Sequence, residues 1–460
     1  MTDQHLSLVR TLVMSEMRVF VTIWLGQIIS KIGSGLTSFA FDVWVYQQTG
    51  SITQFAFLTL AITLPAFCIA PIVGGIVDRW NRQWIMVIST ICSSICVLTI
   101  GILFILGNLE IWHIYLAVAG KSIFTAFSGT AFRASIILMV PENKLGRASG
   151  FTQATDSIAR LVCPALGGVV LGTLHLEGVI FVDFISFMLA IIPLLVVDIP
   201  KLPPTDDLLV DIQQTSFISG IQQGWNYLLT RPGILLLVLL RTLYNTTIGA
   251  ALILVTPLLL TLTSPESLGF VMSLAGSGMV VGIIYLAIVG DHQENLVNLM
   301  FISILLGSCG LVIAGIRPSL ILLTISGFFF SSGIPVINGC FQILLQRKIA
   351  PQIQGRIFSL NNMISMLFPP LIAIAIGPLA DRVLEPLMDF DGPWSRGIGQ
   401  VIGSGPGRGI GLLFILTGLI TILFTLIVYQ YEPLRKLETE LPNEVDFSSV
   451  NSINHKVVDA

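Results

Sequence analysis

Gly74-Gly75-Ile76-Val77-Asp78-Arg79-Trp80-Asn81-Arg82 is a short charged stretch set between two long apolar runs, Ile52–Val77 and Trp84–Leu106. A helix crosses the hydrocarbon core of a bilayer in about 20 apolar residues, at a rise of about 1.5 Å each. Both flanking runs are at least that long. The stretch therefore reads as the turn of a transmembrane helical hairpin.

The same rhythm continues in both directions. Before the turn comes span 1, Val19–Tyr46, and then span 2, Ile52–Val77. After it come span 3, Trp84–Leu106, span 4, Ile111–Ile136, span 5, Ala148–Leu174, and span 6, Val179–Val197. A polar linker follows. Six more runs complete the chain: Gly233–Leu260, Leu268–Val289, Leu296–Ile316, Ser319–Leu345, Ile357–Ala380 and Ile410–Tyr429. The expected fold class is an all-α polytopic membrane protein of about twelve transmembrane helices. Its parts are a terminus, 1–18, a first half, 19–197, a linker, 198–232, a second half, 233–430, and a polar tail, 431–460.

Composition agrees. Of the 460 residues, 54% are hydrophobic and only 11% charged, with a mean hydropathy of +0.89. Soluble domains carry roughly 25% charged residues, so lipid must solvate much of this surface. A net charge of −3 does not suit a nucleic-acid partner. The six cysteines, Cys68, Cys92, Cys96, Cys163, Cys309 and Cys340, all lie in apolar runs. No histidine or second cysteine pair accompanies them in a metal-ligand pattern, so neither metal nor cofactor is expected. No G-x-x-x-x-G-K-S/T phosphate loop is present, and no nucleophile constellation marks an enzyme. The first apolar run exceeds a signal-peptide core of roughly 7–15 residues and reads as an uncleaved span.

Lysine and arginine set the orientation. With the N-terminus inside, fifteen basic residues fall on the inner side, counting Arg133 at the inner end of span 4, and four outside, namely Arg317, Arg382, Arg396 and Arg408; the remaining four lie deeper within spans. This bias predicts both termini in the cytoplasm.

The linker opens with Pro200, Pro203, Pro204, Asp206, Asp207 and Asp211, a solvated pattern. It continues with Phe217, Ile221, Trp225, Leu228 and Leu229 at helical spacing, which predicts an amphipathic helix on the inner surface. It serves either as a bridge between halves or as a regulatory element. Asp381–Arg408, rich in Gly and Pro, is the one long outer loop, read as a gate cover or a disordered connector. Pro141 with Gly146-Arg147 after span 4, and Pro351 with Gly355-Arg356 after span 10, suggest that the halves arose by duplication.

The opening stretch resembles the major facilitator superfamily. Its signature in this loop is G-x-x-x-D-R/K-x-G-R/K, matched at Gly74, Asp78, Arg79 and Arg82, with Asn81 where Gly is usual. Asn tolerates positive φ, so the turn can survive. The resemblance implies an inner latch, in which Gly74 admits a neighbouring helix and Asp78 pairs near a helix terminus. An ordinary charged loop is the alternative. In span 5, Cys163, Pro164, Gly167 and Gly168 resemble the superfamily's antiporter motif, G-x-x-x-G-P-x-x-G-G, with Ala159 and Cys163 replacing glycines. That motif implies export. The runs Gly33–Ala40 and Trp44–Ser51 are similar to the macrolide-efflux and enterobactin-exporter branch. The basic residues of a second latch are missing from Gly290–Glu294.

Ionisable groups inside the spans default to functional hypotheses. Asp156 and Arg160, one turn apart, read either as a structural pair or as a coupling site. Asp42 and Asp183, toward the outer ends of their spans, read as proton carriers or interfacial residues. Spans 1, 4, 7 and 10 line the central cavity in the family's fold, so the resemblance puts Gln27, Lys31, Lys121, Arg241, Asn245, Asn338 and Gln342 there. Three cations would favour an anionic or strongly hydrogen-bonding substrate, unless they snorkel or pair. The expected partners are a small-molecule substrate, protons and the lipid bilayer, with the chain a monomer in the bacterial inner membrane. The function expected is export of a drug, siderophore or secondary metabolite by proton antiport. Import of an anionic nutrient, or a scaffold or receptor role, are the rivals. Asp78→Asn should impair transport without impairing membrane insertion; a variant transporting at the wild-type rate would remove the latch.

Overall fold

A computed structural model of the chain describes residues 17–141, 144–197, 199, 225–289, 295–317, 319–349 and 351–435. Most of the linker, the 290–294 loop and the tail beyond 435 lie outside the described residues. Of the linker helix only 225–230 is described: it is helical, with Leu228 buried and Trp225 and Leu229 exposed.

The predicted spans all form helices. In chain order they are α1 (Arg18–Thr49), α2 (Ile52–Arg79), α3 (Arg82–Ile105), α4 (Ile111–Met139), a helix Leu145–Val196 holding two spans, α7 (Pro232–Leu260), α8 in two pieces (Pro265–Gly276 and Gly278–Val289), α9 (Leu296–Ile316), α10 (Leu320–Lys348), α11 (Pro351–Leu379) and α12 (Arg408–Tyr429). Eleven of these elements are long and apolar enough to cross a membrane.

Leu145–Val196 resolves into two antiparallel arms. Its 52 residues would extend about 78 Å as one helix, more than twice the bilayer core. At His175 the backbone leaves helical geometry, with φ 55° and ψ −170°. Contacts with α1 give the directions. Trp24 donates to Thr155, Cys163 lies against Gly35, and Phe39 against Gly167, so the first arm, α5, runs with α1. Gly26 touches Ala190 and Pro193 while Gly33 touches Ser186, so the second arm, α6, runs against it.

The chain divides into two compact units. The first comprises 1–208, 255–274 and 373–381. Within it α3 packs on α4 and α6, and α2 on α4. Small residues allow the approach: a Cβ on Gly101 would sit 2.9 Å from Ile180 Cγ2. The second unit comprises 209–254, 275–372 and 382–460. There α9 packs on α10 and α12, and α8 on α10, the same pairings six helices on. Gly278 and Gly282 lie against the backbone of Phe328 and Ser332, and Gly315 against that of Gly411. Small residues at helix contacts are what lipid-solvated bundles need, because apolar burial drives no association there.

The long loop is ordered, which removes the disordered-connector reading. It folds as a π turn, Ala380–Leu384, and two short helices, Glu385–Met388 and Gly399–Ile402. Glu385 accepts from the backbone N–H groups of Gly407 (3.1 Å) and Ile410 (3.0 Å), fastening the start of α12. Buried Arg408 donates to the Ile402 carbonyl at 2.8 Å. Many glycines here serve close packing: a Cβ on Gly409 would meet Glu385 N at 2.5 Å.

Candidate functional site

The turn after α2 is built differently from the expectation. Asn81 has φ −64°, so no positive φ is used. Its side chain instead caps α3, accepting from Gln83 N at 2.9 Å and Trp84 N at 3.4 Å. That role needs a short polar side chain, which explains why Asn can replace Gly. Arg82 donates to the Ala134 carbonyl at 2.8 Å, tying the turn to α4. Arg79 is exposed. A Cβ on Gly74 would meet nothing within 4 Å among the described residues. The Asp78 side chain lies outside what is described.

The α5 motif is closely packed. A Cβ on Gly167 would lie 2.9 Å from the Phe39 ring, and one on Gly168 2.8 Å from the Pro265 carbonyl oxygen. Cys163 Sγ lies 3.6 Å from the Ile32 carbonyl oxygen. Downstream of Pro164, the Ala165 N–H donates to Ser273 Oγ at 2.9 Å. Gly269 lies against the Pro164 carbonyl. The first piece of α8 thus rests on the proline-containing face of α5, within one unit.

The intramembrane charges of the first unit are paired, but not as the spacing suggested. Asp156 pairs with Lys31 of α1 and not with Arg160. Arg160 is exposed and makes no hydrogen bond or ion pair among the described residues. Spacing of four puts two side chains on one helix side, but the flexible lysine of the neighbouring helix reaches Asp156. This pair is about half exposed, at 48% and 56%. The other pair is buried: Lys121 Nζ to Asp183 Oδ2, 3.1 Å, with Asp183 fully buried and Lys121 13% exposed. Asp183 Oδ1 lies within 3.4 Å of Ser34 Oγ and 3.3 Å of Ser186 Oγ. Lys121 also lies 5.4 Å from the Phe187 ring centre. Asp42 is half-buried and has no hydrogen bond or ion pair with any described residue. Gln27 is likewise half-buried.

In the second unit, Arg241 Nε donates to Asn338 Oδ1 at 3.2 Å, and its guanidinium stacks 4.4 Å from the Phe341 ring centre. One terminal nitrogen, Nη1, is buried without a partner among the described residues. Asn245 Nδ2 donates to Ser365 Oγ at 3.5 Å. Gln342 is exposed. Two of the three cations expected to make a basic cavity are therefore neutralised by carboxylates, while Arg241 Nη1 is buried without a partner among the described residues. Sequence reading missed Ser34, Ser186 and the ring partners Phe187 and Phe341. Their only signal was a hydroxyl or an aromatic near an ionisable group in an apolar run. Among the described residues no group of three or more metal-ligating side chains is present.

The family model of the Major Facilitator Superfamily matches residues 23–373. The chain belongs to this superfamily. It is 28% identical over 437 residues to macrolide efflux protein A of Streptococcus pyogenes, covering 91% of this chain and 97% of that one. It is 25% identical over 368 residues to the multidrug efflux pump Tap of Mycolicibacterium fortuitum, covering 76% and 86%. Among solved structures, a bacterial homolog of the human lysosomal transporter Spinster, inward-facing and unoccupied, has a TM-score of 0.68 at 14% identity over 92% of this chain and 98% of that one. The last likeness concerns fold alone. As a major facilitator the chain is a multi-pass membrane transporter.

The two ion pairs of this major facilitator should differ in energy. Removing one partner of a buried pair strands the other charge and costs about 3–5 kcal/mol, whereas an exposed pair contributes about 1 kcal/mol or less. Asp183→Ala should therefore destabilise strongly in thermal melts in detergent, and adding Lys121→Met should recover most of the loss. Asp156→Ala should change little. Additive losses for Asp183→Ala and Lys121→Met would mean that the two are not coupled.

Proposed function

We propose that this chain exports a small amphipathic compound of the macrolide or multidrug kind, driven by proton antiport through alternating access. The observation that carries the reading is near full-length similarity to macrolide efflux protein A, at 28% identity over 91% of this chain. The proline- and glycine-containing face of α5, packed tightly through Gly167, Gly168 and Cys163, supports the antiporter assignment. The latch Gly74, Asp78, Arg79 and Arg82 remains part of the proposal, as do the two moving halves 19–197 and 233–430. In this reading the monomer lies in the bacterial inner membrane, with both termini cytoplasmic from the basic-residue bias.

Asp42 is the proposed proton carrier. A carboxyl without a cationic partner exchanges a proton without breaking a salt bridge, whereas Asp156 and Asp183 would have to leave Lys31 and Lys121. Arg241, with Asn338 beside it and Nη1 unanswered, is the proposed hydrogen-bond donor to substrate carbonyl or hydroxyl oxygens. Gln27, Asn245 and Gln342 are proposed supporting contacts. Neutralised lysines disfavour the rival reading, import of an anionic nutrient, because the site then carries little net positive charge.

Everted vesicles containing the protein and a pH-sensitive dye test this. Adding a macrolide to energised vesicles should dequench the dye, and Asp42→Asn should abolish the response while Asp156→Asn retains most of it. A full response in Asp42→Asn would move the proton to another acid. No response of the wild type to macrolides, catechols or lipophilic cations would count against antiport.

A further inference from the structure

The first turn of α2 is held by a side chain from some 330 residues away. A helix start leaves four backbone N–H groups without intrahelical partners. In α2, whose N-cap is Ser51, they are those of Ser51, Ile52, Thr53 and Gln54. Ser51 N–H bonds to Thr49 Oγ1 at 3.1 Å. Gln54 N–H bonds to Ser51 Oγ at 3.2 Å. The other two donate to one carboxylate, that of Asp381: Ile52 N to Oδ1 at 3.0 Å and Thr53 N to Oδ2 at 2.8 Å. Ser51 Oγ donates to Asp381 Oδ2 at 2.6 Å. Asp381 stands in the π turn Ala380–Leu384 at the end of α11. One turn earlier, a Cβ on Gly377 would lie 2.7 Å from Thr53 Cα and 3.1 Å from Ala56 Cβ. Backbone meets backbone beside the carboxylate. All these residues lie in the first compact unit.

In chain order α2 belongs to the first six-helix half and α11 to the second. Their shared contact lies at the end that the basic-residue bias assigns to the outside. In a transporter that works by alternating access, that end must open once per cycle. We propose that Asp381 is a reversible outer latch: its carboxylate holds the start of α2 against the end of α11 and must release both N–H groups and the Ser51 hydroxyl before the outside opens. The chemistry suits a switch. When engaged, the carboxylate accepts from two backbone N–H groups at a helix start and from the Ser51 hydroxyl, and water replaces all three donors once the helices separate. Because the three hydrogen bonds converge on one carboxylate and break together, opening has a sharper threshold than gradual sliding of apolar faces. Helix 2 would then carry a carboxylate latch at each end, Asp381 at its start and its own Asp78 at its finish. This rests on the alternating-access reading above.

The test measures distance, not transport, so it needs neither substrate nor gradient. Spin labels are introduced as noncanonical amino acids at Gln47 and Leu379, exposed positions near the junction of α2 and α11, which leaves the native cysteines in place. Distances are read by pulsed electron resonance in lipid nanodiscs. The wild type should show mainly the short distance. Asp381→Ala should raise the ratio of long to short populations about tenfold, as expected for the removal of hydrogen bonds to a charged group, and Asp381→Glu should fall between the two. Gly377→Val, which wedges the same junction without touching the carboxylate, should shift the populations in the same direction. If Asp381→Ala fails to fold, Asp381→Asn, which keeps one acceptor oxygen, carries the test with a smaller shift. An unchanged distribution in folded Asp381 and Gly377 variants would overturn the latch and leave a static helix cap. A shifted distribution in a protein that moves no macrolide would keep the latch and sink the export reading.

Discussion

The hydrocarbon core of the bilayer offers no hydrogen bonds, and that lack governs the structure. Backbone groups must be satisfied inside each helix, so the spans are helical, α8 with a single break between Gly276 and Gly278. Helices gain nothing by hiding apolar surface from lipid, so they meet through small residues such as Gly101, Gly278, Gly282 and Gly315. Charges must be answered locally or be reserved for function. Lys121 and Asp183 answer one another in a buried site, and Arg241 is half answered by Asn338 and Phe341. Asp42 is answered by nothing described.

The same constraint sorts the candidate residues. A paired, buried carboxylate is costly to disturb and is best understood as structure. An unpaired one is costly to keep unless it does something, which is why Asp42 is the proposed proton carrier. Neutralisation of Lys31 and Lys121 also alters the electrostatic character inferred for the substrate.

The fold was legible because its signal is length. About 20 apolar residues mean one span, and each predicted span from Val19–Tyr46 to Ile410–Tyr429 has its helix. Turns were less legible. Nothing in the sequence indicated that His175 would carry the positive φ between α5 and α6, and Asn81 was expected to use backbone tolerance where it uses its side chain. Partners between helices were least legible. Spacing coupled Asp156 to Arg160, but the neighbouring α1 supplied Lys31. Asp381 and Glu385 lay in a loop whose composition suggested a connector, and only the fold brings their carboxylates to helix starts. Local spacing reports which side of a helix a residue occupies; it is silent on which helix comes to meet it.

The central claim is outward, proton-driven movement of an amphipathic compound. Its most direct measurement is accumulation of a labelled macrolide in bacteria with and without this protein, before and after a protonophore. The account predicts lower accumulation in expressing cells, rising to the control level once the proton gradient collapses. Higher accumulation in expressing cells would contradict it and make the protein an importer.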